Sequence, residues 1–310
     1  MKTDKILFLI LPALLLFLPM LAAGQETDQA WTVKTFDSDR IEQVDVSTSG
    51  GFIRIYGADQ EQARVEMYVR RNNRYLSQGD ISLDDYEIEI EQVGNTLRAH
   101  ANRESRQWRL WGDRINISVS FIVYTPRAVS VDARTSGGSM AASNITGEVQ
   151  LRTSGGSISV AQLNGVLEAH TSGGSIEISS SRGEIHGRTS GGTVRLSDVE
   201  GMIDVRTSGG SIRLQDIAGQ ISARTSGGSI NAQILDVSES VDLRTSGGSI
   251  TVSIPGGTGY DLELRGNRVR TELVNFTGEA ERDRIRGSVF GGGPAIHART
   301  SGGSVRLQFQ

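Results

Sequence analysis

The chain has 310 residues, of which 37% are hydrophobic and 22% charged, and its formal net charge at pH 7 is −4. It contains no cysteine, which excludes a disulfide scaffold, a thiol nucleophile and a cysteine-ligated zinc site. Arginine and acidic residues are interspersed along the chain without a basic block, so the composition argues against nucleic acid as a partner.

The first 24 residues have the order of a secretory signal peptide. Lys2 and Lys5 precede an apolar run over residues 6–21, and the small residues 22–24 follow it. The run contains two prolines and is short for the roughly 20 residues that span a bilayer. We therefore predict export to the periplasm, the cell surface or the extracellular space, with no transmembrane anchor in the mature chain.

Residues 25–130 are rich in aromatic side chains and in alternating apolar and polar positions. This alternation predicts half-buried strands over residues 52–55, 64–69, 86–90 and 115–123, with turns at Asn72-Asn73 and Gly94-Asn95. We expect this region to cap the repeats that follow, because an open stack of strands exposes unpaired edges.

The tetrapeptide Thr-Ser-Gly-Gly occurs nine times, and its spacing predicts a solenoid. The five successive intervals from Thr135 to Thr225 are 18 residues long, and the next, to Thr245, is 20. A fixed period of this length is typical of stacked coils that share one core. The two outlying copies begin at Thr48 and Thr300.

Within a coil, positions are counted from the threonine of this tetrapeptide. Positions 6 and 8, and again 15 and 17, are apolar in most coils and flank a variable residue. This pattern predicts two short strands per coil, each with one face inward, stacked parallel and in register. By the same alternation the threonine at position 1 points inward, where a column of hydroxyls is expected to hydrogen-bond along the stack.

Glycines lie at the expected corners between the two strands of each coil. Position 13 is glycine in all five coils of strict spacing, and Gly-Gly occupies positions 3 and 4. We expect two glycine-containing corners, because glycine adopts positive φ without steric cost. Extra residues in segment 234–240 predict a bulged corner. The regular solenoid is expected over residues 131–259 and a closing β segment over residues 260–310.

Four stretches of the sequence carry a resemblance to a known family. They are DVSTSGGFIRIYGAD, SVSFIVYTPRAVSVDARTSGG, the tandem RTSGGSIxLxDIxGxI coils and GSVFGGGPAIHARTSGGSVRL. Their order resembles the bacterial putative-adhesin β-solenoid domain family, a domain of unknown function, from about Thr32 to the end of the chain. The resemblance implies a secreted or envelope-associated β-solenoid to which no enzymatic activity is assigned.

Position 18, directly before each threonine, is arginine in most coils and is predicted to face outward as a column. The candidate binding residues in this column are Arg134, Arg152, Arg188, Arg206, Arg224 and Arg244. Guanidinium groups match the geometry of carboxylates and phosphates, so the column is a candidate anion site. The alternative is a solvated ladder that is neutralised by acidic residues such as Glu148, Glu184, Asp204 and Asp242.

A second candidate contact patch lies in the N-terminal region at Trp108, Arg109 and Trp111. Tryptophan and arginine are enriched in binding hot spots. Packing of both tryptophans inside the cap or a hairpin is the alternative.

The sequence predicts no catalytic residue, no metal site and no cofactor. A calcium-binding nonapeptide roll needs Gly-Gly-x-Gly-x-Asp, whereas Ser-Ile or a close variant follows Gly-Gly here. The four histidines lack metal-ligand spacing, and no serine lies in a nucleophile-elbow motif. These observations favour a protein that is not an enzyme.

We therefore predict an all-β parallel β-solenoid of about 18 residues per coil. Its expected role is that of a non-enzymatic adhesion, display or structural element of the cell envelope. The alternative is a periplasmic envelope-sensing or anionic-ligand-binding module that uses the arginine column. The expected partner is a cell-surface polysaccharide or an envelope protein.

Overall fold

The computed structural model describes residues 30–72, 74–103, 117–237 and 239–310, and the predicted signal peptide lies outside them. Regular structure in the described residues is β-strand, apart from one short 3-10 turn at Ser38–Arg40. Within this part of the chain, no helix is long and apolar enough to cross a membrane. The all-β class predicted from the sequence is confirmed.

The strands are numbered in chain order. Those before the tandem repeats are β1 (Thr32–Asp37), β2 (Gln43–Thr48), β3 (Ile53–Gly57), β4 (Gln62–Arg71), β5 (Arg74–Leu76), β6 (Tyr86–Val93), β7 (Thr96–Arg103) and β8 (Ile117–Thr125). The repeats contain β9 (Ser130–Thr135), β10 (Met140–Ser143), β11 (Thr146–Thr153), β12 (Ile158–Ala161), β13 (Asn164–His170), β14 (Ile176–Arg188), β15 (Val194–Thr207), β16 (Ile212–Thr225), β17 (Ile230–Asp236), β18 (Ser240–Thr245) and β19 (Ile250–Ile254). The remaining strands are β20 (Tyr260–Arg265), β21 (Arg268–Arg270), β22 (Phe276–Ala280), β23 (Arg284–Val289), β24 (Ala295–Thr300) and β25 (Ser304–Phe309).

Each coil contributes to two parallel ladders. Ladder A holds positions 12 to 18 and the following threonine, and its strands lie in the order β7-β2-β9-β11-β13-β14-β15-β16-β18-β24-β20. Ladder B holds positions 6 to 9, in the order β8-β3-β10-β12-β14-β15-β16-β17-β19-β25-β21. The long strands β14, β15 and β16 contribute to both ladders.

Residues 18 apart are partners in the regular part of both ladders. In ladder A, Val149 pairs with Leu167, and Leu167 pairs with Ile185. In ladder B, Ile158 pairs with Ile176. The predicted parallel, in-register pairing is confirmed, and equivalent side chains stack at the strand spacing of about 4.8 Å.

The spatial order of the coils differs from the chain order at both ends. Strands β2 and β3 lie between the β7/β8 pair and the first tandem coil. Strands β24 and β25 likewise lie between the last tandem coil and the β20/β21 pair. The outlying copies at Thr48 and Thr300 therefore join the tandem copies, and all nine Thr-Ser-Gly-Gly corners form one uninterrupted column.

Antiparallel strands continue both ladders at the N-terminal end and ladder A at the C-terminal end. At the N-terminal end, β4 pairs with β8, and β6 pairs with β7. At the C-terminal end, β23 pairs with β20, and β22 pairs with β23. These antiparallel additions occupy strand edges that the parallel stack alone would leave open.

The core runs along the rod between the two ladders. The predicted inward positions 6, 8, 15 and 17 are buried, as illustrated by Ile212, Leu214, Ile221 and Ala223. Position 11 is a further buried position, which the strand pattern does not reveal because it follows the corner. Its residues are Ile145, Leu163, Ser181, Val199 and Ile217.

The corners use glycine for two different physical reasons. At position 13 the glycines adopt φ between 117° and 146°, which confirms the expected positive φ. The Gly-Gly pairs at positions 3 and 4 do not adopt such a conformation, so the expectation is wrong for them. Instead, a Cβ atom on the second glycine, as at Gly156, would lie 1.8 Å from the carbonyl oxygen of Gly138 in the preceding coil. Close approach of successive backbones therefore requires this glycine.

Position 10 is a third turning point, and it uses residues other than glycine. In five coils φ lies between 46° and 58° at this position. The residues are Asn144, Gln162, Ser180, Asp198 and Asp216. Asparagine and aspartate tolerate this left-handed conformation better than other side chains do, which explains why Asp198 and Asp216 occupy equivalent positions.

The irregular features expected from the sequence are also present. The register between β16 and β17 shifts on either side of Ile217, which confirms a bulge in the longer coil. The strands predicted before the repeats correspond to β3, β4, β6 and β8, although residues 115 and 116 lie outside the described part of the chain. Asn72 and Gly94 have positive φ in turns between paired strands.

The threonine column binds successive coils together. In the coil of Thr207, its Oγ1 donates a hydrogen bond of 2.8 Å to the carbonyl oxygen of Gly192 in the preceding coil. The same oxygen accepts a hydrogen bond of 3.3 Å from the backbone N–H of Gly210. The other threonines of the tandem repeats have both contacts, and this confirms the predicted bonding along the stack.

Position 5 carries a second hydroxyl ladder, which the sequence pattern does not reveal. The backbone N–H of Ser175 donates to Ser157 Oγ at 3.2 Å, and that of Thr193 donates to Ser175 Oγ at 3.2 Å. Hydroxyl oxygens thus accept hydrogen bonds from the next coil on this side of the corner.

We expect alanine to be tolerated at Gly209 and not at its neighbour Gly210. The added Cβ would lie 1.9 Å from the carbonyl oxygen of Gly192 at position 210, but 3.6 Å from its nearest neighbour at position 209. Gly210→Ala should lower the free energy of unfolding by about 3 kcal/mol, and Gly209→Ala should change it by less than about 0.5 kcal/mol. Chemical denaturation followed by circular dichroism measures both. Equal losses would contradict the close-approach explanation.

Thr207→Val should destabilise the protein although it preserves the side-chain shape. The substitution leaves the Gly192 carbonyl and the Gly210 N–H without their hydroxyl partner, at an expected loss of about 1–3 kcal/mol. Ser208→Ala is the matched control, because Ser208 is exposed and its hydroxyl forms no hydrogen bond with any described residue. Urea unfolding curves of both variants test this, and a neutral Thr207→Val would exclude an energetic role for the column.

Candidate anion-binding surface

The predicted arginine column lies on the outer side of ladder A. Alternation in ladder A buries positions 15, 17 and 1, so positions 16 and 18 face outward. All six predicted arginines are exposed or partly exposed, with side-chain exposure from 39% at Arg224 to 59% at Arg134. Strand register places Arg188 next to Arg206, and Arg206 next to Arg224. The structure therefore brings the six candidates into one row parallel to the rod axis.

Each of these six arginines has an acidic partner. Arg134 pairs with Asp132, and Arg152 Nη2 lies 3.1 Å from Glu168 Oε2. The other four share two carboxylates that occupy position 16.

Asp204 and Asp242 each bridge two coils. Asp204 accepts two hydrogen bonds from Arg206, at 3.2 and 3.0 Å, and lies 4.0 Å from Arg188 Nη2. Asp242 accepts hydrogen bonds of 2.7 Å from both Arg224 and Arg244. These pairs offset the repulsion between stacked guanidinium groups, as the solvated-ladder alternative expects.

The two other acidic residues expected to balance the column have different partners. Glu184 Oε1 lies 2.8 Å from His186 Nε2, and Glu148 accepts a hydrogen bond of 2.6 Å from Gln150. Neither residue pairs with a column arginine in the described part of the chain.

The column is interrupted at His170, which register places between Arg152 and Arg188. A shallow hollow of about 250 Å³ lies at this interruption. Its lining residues are Arg152, Glu168, Ala169, His170, His186 and Arg188. The hollow thus combines two permanent cations with two imidazoles and one carboxylate.

The column continues beyond the tandem repeats. Arg299 follows Arg244 in register, Arg265 follows Arg299, and Arg284 follows Arg265 on an antiparallel strand. All of them are exposed. In contrast to the six predicted arginines, these three side chains have no ion pair or hydrogen bond with any described residue.

The second predicted patch, Trp108, Arg109 and Trp111, lies outside the described residues. Its role in binding stays a prediction.

A buried polar cluster on the outer side of ladder B was missed by sequence reasoning. Glu66 is fully buried, and its carboxylate lies 2.8 Å from Arg64 Nε and accepts a hydrogen bond of 2.8 Å from the Tyr68 hydroxyl. The Arg64 guanidinium lies 4.2 Å from the ring centre of Tyr124, which stacks on Tyr56 at 5.5 Å. Burial raises the pKa of Tyr124, while the hydrogen bond from Arg64 opposes the increase.

Period-two alternation predicts one buried face and one exposed face for β4, which explains why this cluster was missed. Both faces of the strand are buried around Glu66. Among the residues that the structure describes, no group of three or more His, Asp or Glu side chains could hold a metal ion.

Comparison with known proteins identifies the family. The Toastrack family model, DUF4097, matches residues 41–308. The chain therefore belongs to the Toastrack family, and this assignment confirms the resemblance found in the sequence motifs. No curated protein matches the sequence significantly.

Two solved structures align with nearly the full length of the chain. One is described as a putative cell adhesion protein from Clostridium sporogenes ATCC 15579, with 10% identity and a TM-score of 0.24, and the alignment covers 90% of this chain and 98% of that chain. The other is described as a putative adhesin from Bacteroides fragilis NCTC 9343, with 12% identity and a TM-score of 0.39, and the alignment covers 90% of this chain and 96% of that chain.

Asp242→Asn should destabilise the protein in a salt-dependent way. The change leaves Arg224 and Arg244 adjacent without their shared carboxylate, at an expected loss of up to about 1 kcal/mol at low ionic strength. The loss should shrink in about 1 M salt, where the screening length falls to about 3 Å.

Asp216→Asn is the matched control, because it removes one negative charge that pairs with no described arginine and asparagine tolerates the left-handed φ of 54°. Thermal unfolding at both salt concentrations compares the two variants. A salt-independent loss for Asp242→Asn would contradict the electrostatic explanation.

Proposed function

We propose that the chain is a non-enzymatic, exported β-solenoid that serves as an adhesion, display or structural element of the cell envelope. The observation that supports this role is the continuity of the stack. One apolar core and one column of threonine hydrogen bonds run through all nine Thr-Ser-Gly-Gly corners. Such a stack resists bending, because every coil is bonded to its neighbours on both ladders and at the corner.

The proposed domain organisation follows the same logic. A regular solenoid of about 18 residues per coil over residues 131–259 forms the shaft. The aromatic-rich β region over residues 25–130 caps one end, and residues 260–310 close the other. The antiparallel pairs β6–β7 and β22–β23 support a capping role at the two ends.

The outer surface of the shaft supports a non-enzymatic role. Several of its charged side chains form mutual pairs, such as Arg206–Asp204 and Arg244–Asp242. Mutual pairing of this kind is typical of a solvated protein surface.

Export is proposed from the predicted signal peptide over residues 1–24, with Gln25 as the first mature residue.

The second candidate function is that of a periplasmic sensing or anion-binding module. The observation that favours it is the row of exposed arginines along ladder A.

The two functions differ in where the shaft is accessible. A site-specific protease sequence inserted between Gly256 and Gly257 provides the readout, because both residues are exposed in the loop between β19 and β20. If the protein is displayed on the surface, the protease should cleave this insert on intact cells. Cleavage only after permeabilisation of the envelope would favour the periplasmic module instead.

A variant that lacks residues 2–24 is the matched control. It should stay inside the cell and resist the protease until lysis, because the proposed export signal is absent. N-terminal sequencing of the mature full chain should give Gln25. A cytoplasmic, uncleaved parent would overturn the export proposal.

A further inference from the structure

We propose that the C-terminal end of the arginine column binds an anionic polysaccharide through Arg265, Arg284 and Arg299. This inference deepens the anion-binding function proposed above and rests on it. These three residues are called the open arginine site, because their guanidinium groups have no acidic partner among the described residues.

Register places the open arginine site on three adjacent strands. Arg299 of β24 pairs with Arg265 of β20, and Arg265 pairs with Arg284 of β23. Neighbouring strands lie about 4.8 Å apart, so the three side chains leave the sheet side by side. All three residues are exposed, and a ligand can reach them from solvent.

The local sequence explains why these arginines lack partners. Upstream, Asp242 lies two residues before Arg244 and pairs with it. The equivalent residue before Arg299 is His297, which supplies no negative charge. Glu263 lies two residues before Arg265, but its Oε2 is 4.0 Å from His297 Nε2 and forms no ion pair with Arg265.

The opposite strand adds positive charge at the same place. Arg286 lies two residues after Arg284 and is in register with Glu263. These three strands therefore carry four arginines and two carboxylates, Asp261 and Glu263. Neither carboxylate forms an ion pair with an arginine among the described residues, and Asp261 accepts a hydrogen bond from Ser288 instead. In the upstream column, by contrast, every predicted arginine pairs with an acid. Glu279 of β22, in register with Arg286, lies one strand further out.

Adjacent like charges on paired strands repel each other, and this repulsion destabilises the protein unless a counter-charge lies close to them. Six arginines of the same column form ion pairs within the protein, so they act as an internal comparison. The open arginine site has no such ion pair among the described residues. An anionic ligand that accepts charge-assisted hydrogen bonds from the three guanidinium groups supplies the missing partner.

The shape of the site favours a linear ligand over a planar one. The arginines form a strip one side chain wide, with Glu263 and Glu279 along one side of it and Glu281 opposite Arg284 at its outer end. A flat anionic membrane would approach these carboxylates together with the arginines and would be repelled by them. A single polysaccharide chain with carboxylate or sulfate groups can follow the strip from Arg299 to Arg284, with Glu263 and Glu279 to one side of it.

The test compares two triple variants of the full mature chain that remove the same charge. One combines Arg265→Gln, Arg284→Gln and Arg299→Gln, and the control combines Arg188→Gln, Arg206→Gln and Arg224→Gln. The probes are heparin and polygalacturonate, with dextran as the uncharged comparison and phosphatidylglycerol vesicles as the membrane comparison. Affinities are measured at about 50 and 150 mM salt, the latter giving a screening length of about 8 Å.

We expect the parent to bind at least one of the two anionic polysaccharides and not dextran. The open-site triple variant should lose about tenfold or more in affinity. The control triple variant should lose less than about threefold, because its arginines are already paired with Asp204 and Asp242. This selective loss supports the proposal.

Three outcomes overturn it. In the first, the parent binds neither polysaccharide at about 50 mM salt. In the second, the two triple variants lose the same polysaccharide affinity. In the third, the parent binds vesicles through the open arginine site but binds no polysaccharide. Equal losses would instead indicate a diffuse field along the whole column.

Thermal unfolding checks the fold of each variant. The open-site triple variant should keep or raise the melting temperature, because it relieves repulsion, and the control should lower it slightly. If the triple variant does not fold, the single variants Arg265→Gln and Arg299→Gln are compared with Arg206→Gln in the same assays. Protease accessibility of the insert at residues 256–257 reports the display function separately, so failure of polysaccharide binding leaves that result unaffected.

Discussion

The close approach of successive backbones at the second glycine of each Thr-Ser-Gly-Gly corner is the constraint on which the structure depends. The carbonyl oxygen of Gly192 occupies the space that a side chain at Gly210 would need, and the same oxygen accepts the hydroxyl hydrogen of Thr207. Steric exclusion and hydrogen bonding thus act on one atom. Because the contact repeats in every coil, it fixes the distance and the register between coils, and the ladders, the core and the outer columns follow from that register.

In-register stacking has an electrostatic consequence as well as a packing benefit. It aligns apolar residues into one core, but it also aligns the position-18 arginines of successive coils, except where His170 interrupts the column. Carboxylates at position 16 offset this repulsion, and two of them each pair with the arginines of two successive coils. Where the carboxylate is absent, as beside Arg299, the charge remains open to solvent and to ligands. The proposed binding site is thus a local departure from the rule that stabilises the rest of the column.

The two ends of the rod show how a repeat stack is terminated. At the C-terminal end, β24 and β25 follow β20 and β21 in the chain but lie between them and the last tandem coil. Antiparallel strands lie beyond the parallel stack at the N-terminal end of both ladders and at the C-terminal end of ladder A. This arrangement restricts the regular surface to the shaft and places the non-repetitive side chains at the ends.

Local patterns in the sequence are sufficient to specify the class of fold, the position of the core and the outward face of the arginine column. A period of 18 residues and period-two alternation are local signals, and they specify which side chains face inward whatever the distant contacts are. Which arginines have acidic partners depends on the tertiary structure, because partners such as Arg224 and Asp242 lie on different coils. The tertiary structure also decides that the outlying corners at Thr48 and Thr300 join the column, and that Glu66 is buried on a face predicted to be exposed. These features depend on contacts between segments far apart in the chain, and local periodicity carries no information about such contacts.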